Sequence, residues 1–360
     1  MMKIKRLAII GLGLIGASLA KSIKHSAPET EIAAFDFPDV LENARLDKTI
    51  DVNLQSFTDA LSYELIFLAL PIEQSIEVFR ELSPLLEKDQ TISDLCSVKG
   101  IFAEEWKALT SNGSYIGAHP MAGKENGGYK NSDGLLFENS IYIISEHSKK
   151  YNSLTEYTEL IKSIGARITF LDPYLHDKIV AKVSHLPQLL SVLLVNQASP
   201  SKDGLQYMDF SAGGFRDMTR IASSDYKIWN SIIKFNKTEI LEAINSFNKD
   251  LTELKTLISN ENSNLIAERF DEARTLRDET PINSKGFLDP LFDINIFMKD
   301  EPGMISKIST VLFENHINIK DIELLKIREG TGGNFKLYFE SKTEAEKAKR
   351  ILESIGFKIS

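Results

Sequence analysis

The sequence has 360 residues, of which 42% are hydrophobic and 26% charged, so its length predicts two or three globular domains. A formal net charge of −9 argues against nucleic acid or an anionic membrane as a partner. The single cysteine, Cys96, excludes an internal disulfide and is expected to be a small buried hydrophobe in a reducing compartment.

The N-terminus has some features of a signal peptide, because Lys3, Lys5 and Arg6 precede an apolar stretch from Leu7 to Ala20. Three glycines interrupt this stretch, which is also shorter than the roughly 20 residues that a membrane span needs. We therefore expect a cytoplasmic protein that does not bind a membrane.

The first domain, residues 1–173, alternates short apolar strands with helical segments. This alternation predicts an α/β fold, a doubly wound parallel sheet of the Rossmann type. The predicted strands are Arg6–Ile10, Glu31–Phe35, Leu65–Leu70, Thr91–Ser93, Tyr115–Gly117, Ile141–Ile144 and Arg167–Phe170.

A glycine-rich loop, Gly11-Leu12-Gly13-Leu14-Ile15-Gly16, lies between the first strand and a helix. In dinucleotide-binding proteins the first glycine allows a tight turn, the second admits the pyrophosphate and the third lets the helix pack closely. Asp36 ends the next strand, where a carboxylate binds the adenosine ribose and repels a 2′-phosphate. The pattern predicts NAD rather than NADP. The alternative is a glycine turn in a protein that binds no nucleotide.

Polar residues gather after other strands, in the loops Leu70-Pro71, Asp94–Lys99 and His119–Gly123. Open parallel sheets bind ligands at the carboxyl ends of their strands, so these loops can reach one cleft. His119 is a candidate proton acceptor, because the pKa of histidine lies near neutral pH. The alternative is a loop histidine that is bonded only to backbone.

Residues 174–282 are predicted to form an all-helical domain, since Tyr174–Glu279 shows no strand-like alternation. The segment Leu186–Val195 is apolar nearly all round, which predicts a buried helix. A long amphipathic stretch follows, from Ile228 to Ile258. Helices this long and apolar in a small domain often pack against a second subunit, so we expect a homodimer.

The helical domain also contains candidate polar groups. His185 and Gln188 lie three apart at the start of the apolar helix. Further on, Gly213-Gly214 enters a helix on which Arg216 and Arg220 are four apart, as in a clamp for carboxylates. The alternative is a surface pair of arginines bridged to the aspartate between them. No His/Asp/Glu cluster has the spacing of metal ligands, so no metal is expected.

The last segment, residues 290–360, follows a linker within 280–286 and returns to mixed structure. Its pattern predicts a ferredoxin-like βαββαβ module. The predicted elements are a strand at Phe292–Met298, a helix at Met304–Asn315, strands at Ile317–Ile327 and Asn334–Glu340, a helix at Thr343–Ile355 and a short final strand.

Several motifs together resemble the prephenate dehydrogenase family: GLGLIGASLA, SDLCSVKG, GAHPMAGKENGG, SHLPQ, and GGFRDMTRIA followed by Trp229. The similarity covers essentially the whole chain. The DEPGMI sequence after the first C-terminal strand is similar to that of ACT domains, small modules that bind amino acids and control biosynthetic enzymes. The resemblance implies a Rossmann domain, an all-helical dimerisation domain and a C-terminal ACT domain.

The resemblance also implies a reaction, in which prephenate and NAD give 4-hydroxyphenylpyruvate, carbon dioxide and NADH. By matching position, His119 accepts the proton of the ring hydroxyl, and Ser97 orients that hydroxyl beside the nicotinamide. Arg220 binds a substrate carboxylate, with Arg216 adding positive charge.

The resemblance further implies roles for residues around the pocket. Glu125, Asp177 and Trp229 are expected to support or close it, and Trp229 could serve the partner subunit's pocket. His185 is expected to line it. Gln188 stands where several relatives carry a second histidine, and it can donate a hydrogen bond but cannot carry a proton.

The loop Asp300-Glu301-Pro302-Gly303, with Met304, is the candidate effector site. Its glycine lets backbone approach a ligand, and the helix N-terminus offers N–H groups to a carboxylate. Pathway logic suggests L-tyrosine as a feedback inhibitor. The open alternatives for the whole chain are arogenate dehydrogenase, another hydroxy-acid dehydrogenase, and a non-catalytic sensor, against which the set of His119, Ser97 and Arg220 argues.

Overall fold

The computed structural model describes residues 4–124, 126–199, 201–202, 205–279, 291–299, 301–328 and 332–359. The chain divides into two units, Met1–Ala267 and Glu268–Ser360. The predicted linker within 280–286 lies outside the described residues, and the domain boundaries at 173, 282 and 290 remain predictions.

The first unit begins with a six-stranded parallel sheet in the order β3-β2-β1-β4-β5-β6. Its strands are β1 (Arg6–Ile10), β2 (Glu31–Phe35), β3 (Val52–Asn53), β4 (Leu65–Leu68), β5 (Thr91–Asp94) and β6 (Ser114–Tyr115). The helices are α1 (Leu14–Ser26), α2 (Pro38–Leu46), α3 (Ile72–Leu82) and α4 (Gly100–Ala108). The central strands are apolar and buried because helices cover both faces. The strand order reverses between β1 and β4, the point where such folds bind dinucleotides.

A second, three-stranded sheet follows, in which β7 (Ala118–Pro120) is antiparallel to β8 (Ile141–Ser145), and β8 is parallel to β9 (Arg167–Leu171). Helix α5 (Leu154–Ser163) joins β8 to β9. The predicted single strand Tyr115–Gly117 was wrong, since the chain leaves the first sheet at β6 and enters the second at β7. His119 therefore lies within a short strand rather than in a loop.

The rest of the first unit is mainly helical. Its helices are α6 (Pro173–Val180), α7 (Leu186–Ala198), α8 (Gly213–Thr219), α9 (Tyr226–Phe235), α10 (Lys237–Ser259) and α11 (Ser263–Glu279), the last of which extends into the second unit. One π turn, Ala181–His185, joins α6 to α7. A short hairpin of β10 (Ser201–Lys202) and β11 (Leu205–Gln206) was not predicted, because strands of two residues leave no periodic pattern.

The expectation that Leu186–Val195 is buried all round is wrong for the single chain. Only Gln188 and Ser191 are buried within α7, while 56% of Leu193 is exposed. In the described part of the chain, the helical run Pro173–Ala198 is long and apolar enough to cross a membrane, but core helices meet these criteria too. One third of its most apolar window (33%) is buried.

The second unit contains a four-stranded antiparallel sheet in the order β13-β14-β12-β15. Its elements are β12 (Phe292–Met298), α12 (Met304–Glu314), β13 (Asp321–Arg328), β14 (Gly332–Phe339), α13 (Lys342–Ser354) and β15 (Lys358–Ile359). Ile296, Leu312, Phe339 and Leu352 belong to its buried core. This arrangement matches the predicted βαββαβ module.

Candidate active site

The glycines of the loop between β1 and α1 have different surroundings. Gly11 has φ of +99°, and a Cβ there would lie 2.7 Å from the carbonyl oxygen of Ala69. A Cβ on Gly16 would lie 1.9 Å from the carbonyl oxygen of Gly11, so the close packing of α1 on this loop requires glycine. Gly13 has no atom within 4 Å of its Cβ position, which leaves space for a phosphate group to approach the backbone.

Asp36 follows β2, and its carboxylate accepts two main-chain hydrogen bonds. Oδ2 lies 2.5 Å from the nitrogen of Leu12, and Oδ1 lies 2.6 Å from that of Phe37. A cavity of about 650 Å³ opens beside this carboxylate, and its lining includes Leu70 and Gln74. Its position at the strand ends beside the glycine loop fits the adenosine half of NAD, and the first turn of α1 carries no acidic residue to repel the pyrophosphate.

His119 begins a chain of hydrogen bonds. Its Nδ1 lies 2.8 Å from Nε2 of His176, and Nδ1 of His176 lies 2.8 Å from Oδ1 of Asp177. The Asp177 carboxylate also accepts from the main-chain nitrogens of Lys99 at 2.7 Å and Gly100 at 2.8 Å. The start of α4 thus holds the carboxylate, which in turn orients both imidazole rings.

Both rings are held in the neutral state. Burial lowers the pKa of His119 well below 6.5, and electrostatic interactions with His176, Lys99 and His185 lower it further. Burial also lowers the pKa of His176, although its bond to Asp177 opposes this shift. In the part of the chain that the structure describes, Nε2 of half-buried His119 has no hydrogen-bond partner, so a neutral His119 can accept a proton there.

A buried ion pair lies below the loop that carries Ser97. Nζ of Lys99 bonds to Oδ1 of Asp94, and their side chains are 1% and 0% exposed. The Tyr115 hydroxyl donates to the other Asp94 oxygen at 2.7 Å. These contacts fix the loop, so half-buried Ser97 has a defined position after β5. Cys96 is buried as predicted, and burial raises its pKa to about 12, so its side chain is a neutral thiol at neutral pH.

The helical region after β9 supplies a second wall of the candidate site, which includes His185, Trp229 and Asn236. The ring of His185 packs edge-on against Trp229 at 5.9 Å, and burial lowers the pKa of His185 to about 4. Nδ2 of Asn236 donates to the carbonyl of Asp177 at 2.8 Å and lies 3.1 Å from Nδ1 of His185. Asn236 therefore connects this wall to the hydrogen-bonded chain that ends at His119.

The remaining candidate residues are Gln188, Arg216, Arg220 and Glu125. Gln188 is buried, and its Nε2 donates to the carbonyl of Ile221 at 2.8 Å, which ties α7 to the turn after α8. Arg216 and Arg220, in α8 and that turn, are exposed in the single chain. Glu125 lies outside the described residues.

Sequence reasoning missed His176, Asn236 and the ion pair of Asp94 with Lys99. The adjacent His176-Asp177 was a local signal, because it lies in α6, the helix that follows β9. The contact of His176 with His119 joins residues 57 apart and leaves no local pattern.

In the second unit, a cavity of about 380 Å³ lies between the end of β12 and the start of α12. Its lining includes Glu301, Gly303 and Met304 of the candidate effector site, together with Lys299 and Phe335. The exposed Pro302 is not among the lining residues. Asp300 lies outside the described residues.

The sequence of this chain is similar to those of known proteins over nearly its whole length. Family models match the nucleotide-binding domain of prephenate dehydrogenase over residues 19–170, its dimerization domain over 172–272, and the ACT domain over 292–357. A prephenate dehydrogenase of Lactococcus lactis is 34% identical over 354 residues, which cover 97% of this chain and 98% of the relative. The chain belongs to the prephenate dehydrogenase family.

Two solved structures are similar to most of this chain. Prephenate dehydrogenase of Aquifex aeolicus, in complex with hydroxyphenyl propionate and NAD+, is 30% identical with a TM-score of 0.71, over 77% of this chain and 98% of that one. Arogenate dehydrogenase of Synechocystis is 27% identical with a TM-score of 0.67, over 76% and 99%. The chain is an NAD-dependent oxidoreductase of this family, and the predicted Rossmann, helical and ACT order is confirmed.

Proposed function

We propose that this enzyme oxidises prephenate with NAD, with loss of carbon dioxide, to give 4-hydroxyphenylpyruvate. The observation that carries the proposal is the hydrogen-bonded chain from His119 through His176 to Asp177, which leaves Nε2 of His119 unbonded among the described residues. On prephenate, such a base can take the hydroxyl proton of the carbon that loses hydride, as that carbon becomes a carbonyl.

NAD supplies the acceptor for that hydride. His119 takes the hydroxyl proton at Nε2 while the hydride leaves the same carbon. The bond from the ring to its carboxylate then breaks, carbon dioxide departs, and the electron pair completes the aromatic ring. The proton on His119 returns to the oxygen, which becomes the phenol. His119 can act as a base because its low pKa keeps it unprotonated at neutral pH.

Other residues bind and orient the substrate. Ser97 directs the ring hydroxyl toward His119, since its loop is fixed by the ion pair of Asp94 with Lys99. Arg220 binds a substrate carboxylate, and Arg216 adds positive charge. These arginines provide the local positive potential that an acidic protein needs for an anionic substrate.

The remaining described pocket residues, His185, Gln188 and Trp229, surround the substrate side chain. The chain functions as a homodimer, in which the exposed apolar side chains of the helical domain, such as Leu193 and Phe210, pack against a second copy.

Arogenate is the second candidate substrate, and Gln188 favours it. The Ile221 carbonyl can only accept, so the amide of Gln188 must turn Nε2 toward it. The oxygen Oε1 and the second N–H of the amide are then left for a ligand. An acceptor oxygen suits the ammonium group of arogenate better than the keto group of prephenate.

The test measures NADH formation with prephenate and with arogenate, using NAD and the full chain. Turnover of prephenate at the higher kcat/KM supports the proposal, and a higher value with arogenate favours the second candidate. Failure to oxidise either substrate, under conditions in which NAD binds, contradicts both.

We further propose that L-tyrosine inhibits the enzyme by binding to the ACT domain, in the cavity beside Gly303 and Met304. The first residues of α12 have no intrahelical partners for their N–H groups, which suits a carboxylate. Titration calorimetry of the full chain with tyrosine tests this, and absence of binding contradicts it.

A further inference from the structure

His176 is fully enclosed between two groups of different chemistry. Its side chain has 0% exposure, with His119 at Nε2 and Asp177 at Nδ1. The charged and titratable groups that interact with it are Asp177 from its own helix, Lys99 and Asp94 from the β5–α4 region, His119 from β7 and His185 from the π turn.

The proton positions on the two imidazole rings follow from the acceptor at the far end of the hydrogen-bonded series, the Asp177 carboxylate. The Asp177 carboxylate accepts from the main-chain N–H groups of Lys99 and Gly100, and Nδ1 of His176 faces it at 2.8 Å, where an ionised carboxylate can only accept. Nδ1 of His176 therefore carries the proton. Because a neutral imidazole has one N–H, Nε2 of His176 presents a lone pair to His119.

The same reasoning fixes His119. Its Nδ1 faces the lone pair of His176 at 2.8 Å, so Nδ1 is the protonated nitrogen and Nε2 is left with the lone pair. The opposite tautomer would bring two lone pairs together and would leave a proton where the substrate proton must go.

We propose that His176 is a positioning residue that selects the reactive tautomer of His119, with Asp177 as the fixed acceptor that sets the direction of the chain. The inference deepens the proposed function, because it concerns the same base. When His119 becomes protonated, its Nδ1–H is a stronger donor to His176, so the chain also stabilises the imidazolium.

Kinetics of two His176 variants test the role. His176→Leu removes the acceptor, whereas in His176→Gln the amide oxygen can accept from His119 and the amide nitrogen can donate to Asp177. We expect His176→Leu to lower kcat about 10- to 1000-fold. In a serine protease, replacing the triad aspartate with asparagine leaves the catalytic histidine in the wrong tautomer and lowers kcat ~10⁴-fold, and we expect a smaller loss here. KM values should change less than about threefold, and His176→Gln should recover about tenfold or more of the lost kcat.

The control is His147→Leu, since His147 is an exposed histidine that is also paired with an aspartate, Asp172, at 3.4 Å. Its kcat should equal that of the parent. Equal losses of kcat in the Leu and Gln variants of His176, or a loss only in substrate KM, would overturn the positioning role.

A substrate-free measurement separates this inference from the reaction. Two-bond ¹⁵N–¹H spectra of the full chain, labelled in its six histidines and with NAD bound, report which ring nitrogen is protonated. We expect His119 to carry its proton on Nδ1 in the parent and in His176→Gln, and partly on Nε2 in His176→Leu. Protonation of Nε2 in the parent would overturn the proposal, even if His176→Leu fails to fold. A parent that shows the expected tautomer but oxidises neither prephenate nor arogenate would instead contradict the proposed function alone.

Discussion

The carboxylate of Asp36 accepts a hydrogen bond from the main-chain nitrogen of Leu12, with Oδ2 2.5 Å from that nitrogen. This bond joins the end of β2 to the glycine loop after β1. The carboxylate is thereby held beside the cavity that we assign to adenosine, where we expect its charge to repel the 2′-phosphate of NADP.

Replacing Asp36 with serine should therefore relax the preference for NAD. Loss of a nearby like charge is worth about 1–3 kcal/mol in a partly shielded site, so the ratio of kcat/KM for NADP to that for NAD should rise about 5- to 150-fold. The control is Asp39→Ser, an exposed acid at the start of α2, which should leave the ratio unchanged. Similar efficiency with both cofactors in the parent would show that Asp36 does not discriminate.

His119→Asn should abolish most of the turnover. A positioned general base contributes about 100- to 10,000-fold, and asparagine cannot take a proton at neutral pH. Substrate KM should change little, because the base acts mainly in the transition state. Steady-state NADH formation measures both, with His147→Asn as the control. Turnover within a few-fold of the parent would mean that another group accepts the proton.

Arg220→Ala should act on binding instead. A charge-assisted contact with a carboxylate is present in the ground state and in the transition state, so we expect KM for the substrate to rise. A loss of ~2–4 kcal/mol corresponds to about 30- to 1000-fold. KM for NAD should be unaffected. Arg274→Ala, which changes an exposed arginine of α11, is the matched control. An unchanged substrate KM would show that Arg220 does not bind the substrate.

Gln188→Leu should reduce activity with arogenate more than with prephenate. The variant removes the acceptor oxygen that suits an ammonium group, and a hydrogen bond to a charged group is worth about 1.5–3 kcal/mol. The ratio of kcat/KM for arogenate to that for prephenate should fall about tenfold or more. Gln197→Leu, at an exposed position of the same helix, controls for the added apolar side chain. Equal losses with both substrates would remove Gln188 from side-chain recognition.

Truncation within Asn283–Gly286 should give an active enzyme that tyrosine no longer inhibits. The proposed catalytic and binding residues all precede this point, whereas the cavity beside Gly303 follows it. Inhibition requires that tyrosine bind one conformational state better than another. Rates with and without tyrosine, for the full and the truncated chains, decide the matter. Undiminished inhibition after truncation would place tyrosine in the active site.

Regular elements were predictable because their periodicity is local. The first two strands, Arg6–Ile10 and Glu31–Phe35, have the predicted bounds, and the βαββαβ order of the last module follows its pattern. The two-residue strand β3 and the separation of β6 from β7 were missed. Such short strands depend on pairing with distant neighbours rather than on a repeating pattern.

The burial of side chains and the contacts between distant residues were harder to predict than secondary structure. The apolar α7 was expected to be covered on all sides, but a single chain leaves Leu193 exposed. In the site, His119 could be selected because it follows a predicted strand of the α/β pattern. Its partner His176 could not, since their contact depends on how two segments 57 residues apart pack together.

The π turn Ala181–His185 changes the direction in which the side chains point within one continuous helical run. A π turn holds about one residue more than an α turn, so the faces of α6 and α7 are offset by about 100° from a common helical wheel. Loss of one residue here would turn Gln188 away from Ile221 while the helix itself stayed intact. Insertions and deletions at this turn are thus a route by which evolution could exchange pocket residues without rebuilding the fold, and sequence alignments across it can pair residues that face different ways.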